Sequence, residues 1–189
     1  GMKTKEEDFV EQLFIASTKD FLLCFTDAGR MYWLKVYEIP EGSRTTKGKA
    51  VVNLVNVGMD EKITTILPVK EFSEDSYLFM ATRNGVVKKT PLVEYSNVRQ
   101  GGIIAVKLDE GDKLISVALT DGKKDVFLAS RNGKAIRFNE EDARPMGRVT
   151  RGVRGMMLAA KDEVIGMEIV DNAAVGSTIF TVCENGYGK

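Results

Sequence analysis

The sequence lacks most of the side chains that carry catalysis or bind metal ions. Its 189 residues include no histidine, which removes the commonest general base and the commonest metal ligand together. The two cysteines, Cys24 and Cys183, are too far apart for a zinc-type spacing, and both occupy equivalent places in repeated strands. We interpret them as small buried side chains, and this usage fits a reducing cytoplasm.

Motifs of enzymes and membrane proteins are missing as well. The sequence has no phosphate-binding P-loop and no nucleophile elbow. No apolar run approaches the ~18 residues that a membrane-spanning helix needs, and no signal-like apolar segment stands near the start. The sequence therefore predicts no catalytic residue, no metal site and no cofactor in this chain, and no membrane association.

A motif of eight residues recurs along the chain. Residues 130–137 (SRNGKAIR) resemble residues 82–89 (TRNGVVKK) and 26–33 (TDAGRMYW), and a fourth copy begins at Cys183. The glycines of successive copies are 56, 48 and 53 residues apart, a spacing typical of an array of one supersecondary unit. We treat residues 1–189 as one domain with repeats near residues 20–75, 76–124, 125–176 and 177–189.

Each repeat contains two strand–turn–strand passages. In the first, an apolar run leads through Asn-Gly into a strand that opens with cations, and Asn-Gly is a strong hairpin signal because both residues tolerate positive φ. The second passage joins two apolar runs, and we expect its strands at residues 50–57 with 63–69, 103–108 with 114–119, and 156–158 with 164–170. Four short strands in roughly 50 residues predict an all-β fold of four-stranded, propeller-type blades. A sandwich of hairpins is the alternative, but it requires no fixed period.

Two regions outside these strands carry weaker signals. Residues 91–95 and 139–142 connect the two passages, and we expect one helical turn in each. Near the start of the chain, Thr4 followed by Glu7 matches a capping box and favours a short helix over residues 5–13. Alternatively, residues 9–17 form a strand that completes the first blade.

Opposite charges balance overall but are segregated in phase with the repeat. Lys and Arg total 27, as do Asp and Glu, and neutrality alone argues mildly against a nucleic-acid partner. Residues 30–49, 83–107 and 131–154 nevertheless carry net charges of +3, +4 and +4, whereas 55–76 and 155–180 carry −3 each. Because equivalent positions in a ring of blades lie on one rim, we expect the cations to form a track that neutralises phosphates.

A single charged loop is more simply explained as a solvated loop. Three loops that carry the same sign of net charge at the same place in the repeat favour a function. We therefore predict that the basic residues of these windows contact the phosphates of a nucleic acid. The predicted phosphate-contacting residues are Arg30, Lys35, Lys47, Lys49, Lys88, Lys89, Arg99, Lys134, Arg137, Arg148, Arg151 and Arg154.

Several of these segments resemble one known family. Residues 88–92 (KKTPL) with Tyr95, 32–37 (YWLKVY) and 131–138 (RNGKAIRF) closely resemble the C-terminal domain of the bacterial DNA gyrase A subunit. Residues 144–155 extend the match, so the resemblance covers essentially the whole chain. It implies a β-pinwheel, a propeller variant in which neighbouring blades exchange a strand and duplex DNA wraps around the outer rim.

The resemblance also implies a role and partners. The role is to wrap double-stranded DNA without sequence preference. The protein partners are the rest of the gyrase A subunit and the gyrase B subunit, and the wrapping supports their ATP-dependent negative supercoiling. On this view the chain is not an enzyme by itself, because the cleavage tyrosine and the sites for ATP and Mg belong to other parts of a cytoplasmic holoenzyme.

The chain departs from the family pattern in two ways. The Gln-Arg-Arg-Gly-Gly-Lys-Gly box of the family is missing, and residues 99–102 (RQGG) are its nearest counterpart. The chain also ends inside a hairpin, so we expect a fragment that forms an open arc. The C-terminal pinwheel of the topoisomerase IV A subunit, whose box is degenerate or absent, is an alternative. A propeller scaffold that uses its basic loops to bind an acidic protein is another.

Overall fold

The computed structural model describes residues 15–43, 49, 51–97, 99–171 and 178. The described residues contain β-strands and 3-10 helices but no α-helix, which confirms the all-β prediction. The strands are β1 (Phe21–Thr26), β2 (Arg30–Lys35), β3 (Ile63–Val69), β4 (Tyr77–Thr82), β5 (Val86–Pro91), β6 (Ile103–Ile104), β7 (Leu114–Thr120), β8 (Asp125–Ser130), β9 (Ala135–Asn139), β10 (Val153–Arg154) and β11 (Val164–Val170). The 3-10 helices are Val36–Glu38, Val51–Asn53, Leu92–Tyr95 and Glu140–Asp142.

The strands form three antiparallel sheets, which we call blades 1 to 3 in chain order. Blade 1 has the strand order β3-β1-β2-β6, blade 2 has β10-β5-β4-β7, and blade 3 has β11-β8-β9. The strands β3, β7 and β11 contact one another in that order, so the blades are arranged side by side as in a propeller. This radial arrangement excludes the alternative of a sandwich of hairpins.

The fourth strand of a blade comes from the following repeat. β6 belongs to the second repeat but pairs with β2 of blade 1, and β10 belongs to the third repeat but pairs with β5 of blade 2. The strand exchange implied by the family resemblance is therefore confirmed. Within the part of the chain that the structure describes, β9 of blade 3 has no strand on its outer side.

The exchanged strands are shorter than predicted, because the chain leaves the sheet edge after two residues. The backbone amides of Ala105 and Val106 then donate to the carbonyl of Gly29, at 2.8 and 3.2 Å. The predicted strand over 103–108 is thus too long, and the one over 156–158 is wrong, because the exchanged strand there is Val153–Arg154. The predicted strand over 50–57 is also wrong, since residues 51–53 form a 3-10 helix there.

The predicted hairpins and helical turns are present, with one difference in the turns. In the β4–β5 hairpin the amide of Gly85 donates to the carbonyl of Thr82 at 3.1 Å. Gly85 has a φ of 85°, but the asparagine before it does not share this conformation, since Lys161 is the one non-glycine residue with positive φ in the described residues. The predictions for residues 5–13 and 9–17 fall mainly outside the described residues, and residues 15–17 form no strand.

Blade 2 is buried on both faces. On β4, Leu78 and Met80 belong to an apolar cluster shared with blade 1, whereas Phe79 and Ala81 belong to one shared with blade 3. Side chains alternate between the faces of a strand, so a strand between two sheets needs an apolar residue at every position. Cys24 is also fully buried, as predicted, and burial raises the pKa of its thiol to about 12. Cys183 lies outside the described residues.

Candidate nucleic-acid interface

The exchanged strands build the outer rim of the blades and carry basic loops with them. β6 places Ile104 opposite Arg30, and β10 places Arg154 opposite Val86. Each exchanged strand directly follows a loop rich in glycine and cations, residues 99–102 or 148–152. The exchange therefore brings the basic loop of one repeat to the rim of the preceding blade.

Glycine is required where each basic loop meets the blade. Gly152 has a φ of 97°, and a Cβ added there would lie 2.5 Å from the carbonyl oxygen of Val87. Gly102 has a φ of 76°, and a Cβ there would lie 2.8 Å from the ring of Tyr32. Any other residue would be strained in conformation and in contact, so the glycines fix how closely each basic loop approaches the rim.

Three predicted residues come together around β6. The Arg30 guanidinium donates through Nη2 to the carbonyl of Gly101 at 2.6 Å, and Arg148 donates through Nη1 to the carbonyl of Ile104 at 2.6 Å. Arg99 is exposed at the start of the same loop. Residues from three repeats thus place positive charge on one short stretch of the rim.

Lys35 continues this stretch at the far end of β2. Lys35 and Arg99 line one cavity of about 430 Å³. The Lys35 ammonium lies 5.5 Å from the centre of the Tyr37 ring, and its hydrogen bond to that residue raises the pKa of Lys35. Lys49 is exposed, and Lys47 lies outside the described residues.

A second basic stretch follows along β10. Arg151 and Arg154 line a cleft of about 390 Å³ together with Gly152, Asn84 and Asp109. Both arginines are exposed. Backbone glycine beside guanidinium groups is a combination that suits an approaching phosphate.

The third stretch lies on the β8–β9 hairpin of blade 3. Arg137 lines a groove of about 240 Å³ that also contains Arg154, so the second and third stretches adjoin. Lys134 is exposed and donates from Nζ to the carbonyl of Met157. The structure therefore connects the predicted residues in three neighbouring groups along the blades.

Carboxylates already match part of this positive charge. Arg151 contacts Asp109 at 2.8 Å through Nε and 2.6 Å through Nη2, and Arg137 contacts Asp125 at 2.6 Å. Arg30 lies 3.8 Å from Glu61. Both side chains of the Arg151–Asp109 pair are exposed, where an ion pair is worth little, so a phosphate can displace Asp109 at low cost. Glu61 and Asp125 are mostly buried and hold their arginines more firmly.

Lys88 is a correction to the predicted set. Its side chain is only 1% exposed, and its Nζ donates to the carbonyls of Ala105 at 2.8 Å, of Arg148, and of Thr150 at 3.3 Å. Burial and the charge of Arg148, opposed in part by Glu94, together lower the pKa of Lys88 to about 7. The ammonium is enclosed by backbone and does not face an external phosphate.

Lys89 is a second correction, on the opposite face of β5. It is 5% exposed, and its Nζ donates to the carbonyl of Glu140 at 3.0 Å. The ammonium also lies 5.2 Å from the centre of the Tyr77 ring. The sequence marked both lysines as basic but could not show that blades 1 and 3 cover the two faces of β5.

The prediction also omitted residues that the rim exposes. Lys107 follows β6 and is exposed, while its backbone amide donates to the carbonyl of Thr150 at 3.0 Å. Asp109, which competes for Arg151, was not expected either. The positive charge of the window 83–107 was the one available signal for Lys107. No sequence signal joined Asp109 to a residue in the next repeat.

Two other features are absent from the described ranges. No group of three or more His, Cys, Asp or Glu side chains is placed to hold a metal ion there. Across the same residues, no helix is long and apolar enough to cross a membrane.

The arrangement of blades and basic loops corresponds to a known family. The sequence matches the family model "DNA gyrase C-terminal domain, beta-propeller" at residues 20–70, 76–121 and 124–171, one match for each of the first three repeats. The chain belongs to the DNA gyrase C-terminal domain family. Membership agrees with the blade order and with the exchanged outer strands.

Two curated relatives of this DNA gyrase C-terminal domain are gyrase A subunits. The chain is 49% identical over 187 residues to the DNA gyrase A subunit of Salmonella typhimurium, covering 99% of this chain and 21% of that protein. It is 45% identical over 190 residues to the DNA gyrase A subunit of Staphylococcus aureus, covering 100% of this chain and 21% of that protein. The chain thus spans about a fifth of the length of these relatives.

Solved structures of two related domains share the fold. The C-terminal domain of DNA topoisomerase IV superposes with a TM-score of 0.76 at 33% identity, over 82% of this chain and 48% of that chain. A DNA gyrase A C-terminal domain superposes with a TM-score of 0.72 at 27% identity, over 100% of this chain and 61% of that chain.

Proposed function

We propose that this chain binds duplex DNA by its phosphate backbone along the outer rim of the blades and bends the duplex around them. The observation that carries the proposal is the strand exchange, because it places Arg30, Arg99 and Arg148 around β6 and Arg151 and Arg154 along β10. Arginine and lysine contacts to phosphate give affinity without reading bases, so the binding has little sequence preference.

Several blades have to act together in this mechanism. Smooth bending of a 20–30 base-pair site by 40–90° costs about 1–6 kcal/mol, more than one exposed arginine supplies. The three basic stretches adjoin along the rim and provide the repeated contacts that this cost demands. Lys35, Lys49, Lys134 and Arg137 extend the proposed contact surface, whereas Lys88 and Lys89 do not belong to it.

Within a larger enzyme, the chain serves as the DNA-wrapping part of a gyrase A subunit. Its similarity to gyrase A subunits over nearly its whole length supports this assignment. Its partners are then double-stranded DNA, the rest of the gyrase A subunit, and the gyrase B subunit, in the cytoplasm. The wrap supports ATP-dependent negative supercoiling, while DNA cleavage and the binding of ATP and Mg reside elsewhere in the holoenzyme, so this part is non-catalytic and carries no cofactor.

The C-terminal pinwheel of topoisomerase IV is the second candidate. The TM-score of 0.76 and the 33% identity to that domain favour it, whereas the 49% identity to a gyrase A subunit favours gyrase. A holoenzyme whose gyrase-type A subunits carry this chain, supplied with ATP and relaxed plasmid, separates the two. Negative supercoils are expected for gyrase, and their absence would favour topoisomerase IV.

A salt titration tests DNA binding itself. Affinity for a mixed-sequence duplex should fall steeply between about 50 and about 200 mM salt, by about 10³-fold if six phosphates are contacted. Arg154→Gln should weaken binding and reduce the slope of log affinity against log salt by about 0.9. The matched control is Lys70→Gln, an exposed cation at the end of the inner strand β3, which should leave the slope unchanged. Salt-insensitive affinity, or tight binding to an acidic protein instead, would overturn the proposal.

A further inference from the structure

We propose that Lys88 is a positioning residue that holds the rim segments of blades 1 and 2 in one fixed relation, so that DNA passing from one to the other meets a continuous surface. This inference rests on the DNA-binding function proposed above. It concerns a side chain that does not itself reach the DNA.

Lys88 joins two segments that belong to different repeats. On one side, its Nζ donates to the carbonyl of Ala105, just after the outer strand β6 of blade 1. On the other side, it donates to the carbonyls of Arg148 and Thr150, in the basic loop before the outer strand β10 of blade 2. One buried group therefore contacts the rim segments of two neighbouring blades.

Two further contacts join the same segments and show that they form one unit. The Arg148 guanidinium donates to the carbonyl of Ile104, and the Lys107 amide donates to the carbonyl of Thr150. Lys88 is buried and shares the carbonyl of Thr150 with the second of these contacts. Without its ammonium, the carbonyl of Arg148 would lose its donor, and the carbonyls of Ala105 and Thr150 would each keep one, from the Tyr95 hydroxyl and the Lys107 amide. A carbonyl without a donor in this largely buried place is costly.

The number of acceptors matches the charged form of the side chain. An ammonium has three N–H donors and the structure supplies three carbonyl oxygens, whereas a neutral amine has only two N–H groups. The charged or titratable groups around Lys88 are Arg148 in the loop, and Glu94 and Tyr95 in the 3-10 helix after β5. Burial and Arg148 lower the pKa of Lys88 to about 7, so losing the proton near neutral pH removes one of the three hydrogen bonds.

Among the described blades, only blade 2 has a lysine at this place in the hairpin. Lys88 stands three residues after Gly85, and the corresponding residues after Gly29 and Gly133 are Tyr32 and Ile136. Tyr32 instead donates to Glu61 at 3.0 Å, inside its own repeat. Only the middle described blade therefore carries a cation at this junction.

The first test measures the junction without DNA. Hydrogen exchange of the Lys107 amide is compared in the wild-type chain, in Lys88→Met and in Lys70→Met, which removes an exposed lysine. Exchange should become faster in Lys88→Met alone, and an unchanged rate would overturn the proposal. If Lys88→Met fails to fold, Lys88→Gln replaces it, because its amide keeps two N–H donors.

The second test measures affinity for the same mixed-sequence duplex. Lys88→Met should weaken binding about tenfold, the equivalent of one hydrogen bond to a charged group. The control for stability is Leu128→Ala, which opens a cavity in the core between blades 2 and 3 and leaves the junction intact. Equal losses of affinity in Lys88→Met and Leu128→Ala would mean that Lys88 affects binding only through the stability of the fold, and this would overturn the proposal.

The third test is a pH profile, which is simple to interpret because the chain has no histidine. Between about pH 6 and about pH 8.5, affinity of the wild-type chain should fall while that of Lys88→Met stays flat. Parallel profiles would overturn the positioning role. Failure of the wild-type chain to bind DNA would instead refute the proposed function, and the exchange measurement would still decide whether Lys88 holds the junction.

Discussion

Lys88 and Tyr95 donate hydrogen bonds to one acceptor, the backbone carbonyl of Ala105, at 2.8 and 3.0 Å. The two donors come from β5 and from the 3-10 helix that follows it, whereas the acceptor lies just after the exchanged strand β6. Blade 2 therefore fixes the point at which the chain leaves the rim of blade 1. A residue that looks in sequence like one more cation of a DNA-binding track is here part of the joint between blades.

The glycines of the repeated hairpins should differ in their tolerance of a side chain. Gly85 and Gly133 have nearly equal φ values of 85° and 84°, but a Cβ on Gly85 would lie 2.6 Å from the carbonyl oxygen of Met156, whereas a Cβ on Gly133 meets nothing within 4 Å. Gly133→Ala should cost about 1 kcal/mol from backbone conformation alone. Gly85→Ala should cost about 1–3 kcal/mol more, because the exchanged segment has to move.

Urea denaturation of the two alanine variants measures this difference. Because the backbone conformation is the same at both positions, the difference in the free energy of unfolding isolates the contact made by the exchanged segment. Equal losses of stability would mean that the exchanged segment does not pack against Gly85 in solution.

The stability of the fold should rise with pH above neutrality because of Lys88. Its pKa is lowered from the ordinary 10.5 to about 7, so the unfolded chain binds more protons than the folded chain between these values. The free energy of unfolding therefore increases with pH in this window, by about 1 kcal/mol per pH unit. The increase is cleanest from about pH 7 to about pH 9, since Cys24, whose thiol pKa is raised from 9.0 to about 12, acts in the opposite direction above that range.

Chemical denaturation at a series of pH values checks the sign. The rise should disappear in Lys88→Met and persist in Lys70→Met, which removes an exposed lysine and leaves Lys88 in place. A rise that survives in Lys88→Met would assign the effect to another group.

Asp109 should act as a competitor of DNA for Arg151. Its carboxylate contacts both Nε and Nη2 of that guanidinium, and a phosphate has to displace it. Asp109→Asn should therefore raise affinity for duplex DNA, by about twofold to fivefold beyond the effect of charge alone. Glu110→Gln is the matched control, since it removes the same charge from the exposed neighbouring position. Fluorescence anisotropy with a labelled duplex measures the affinity of both variants. Equal gains in affinity would mean that Asp109 acts only through its charge and does not compete with DNA for Arg151.

Glu140 is a buried carboxyl in a place suited to an apolar residue. It stands seven residues after Gly133, as Leu92 stands seven residues after Gly85, and both are at most 1% exposed. Neither carboxylate oxygen has a hydrogen-bond partner in the described part of the chain. Burial raises the pKa of Glu140, and the nearby Thr120 hydroxyl and the positive charge of Lys89 oppose this only in part.

A raised carboxyl pKa destabilises the folded state once the pH exceeds the ordinary value near 4.5, because the unfolded chain ionises more readily. Glu140→Gln should therefore raise the free energy of unfolding at pH 7, by about 1 kcal/mol, and the gain should disappear in acid. The exposed neighbour provides the control, as Glu141→Gln should change little. Thermal or urea unfolding at the two pH values measures both effects, and a loss of stability in Glu140→Gln at pH 7 would contradict this account.

The local elements of this fold were predictable because their signals are local. The Asn-Gly hairpins, the strands over residues 63–69 and 164–170, and the helical turn near residue 92 all arise from neighbouring residues in the chain. The predicted strand over 50–57 was wrong. The same alternation of apolar residues suits a short 3-10 segment packed against blade 1. The predicted length of the exchanged strands was too great, because their length depends on a contact with another repeat.

The sequence by itself determined the repeat, the all-β class and the phase of the charges, because each is a regularity along the chain. Only the tertiary structure decided which cations face solvent. Lys88 and Lys89 stand in a strand covered by neighbouring blades on both faces, whereas Arg151 precedes and Arg154 ends an exchanged strand at the rim. Burial depends on what packs against a residue from distant parts of the chain, and a linear pattern of charge contains no record of that packing.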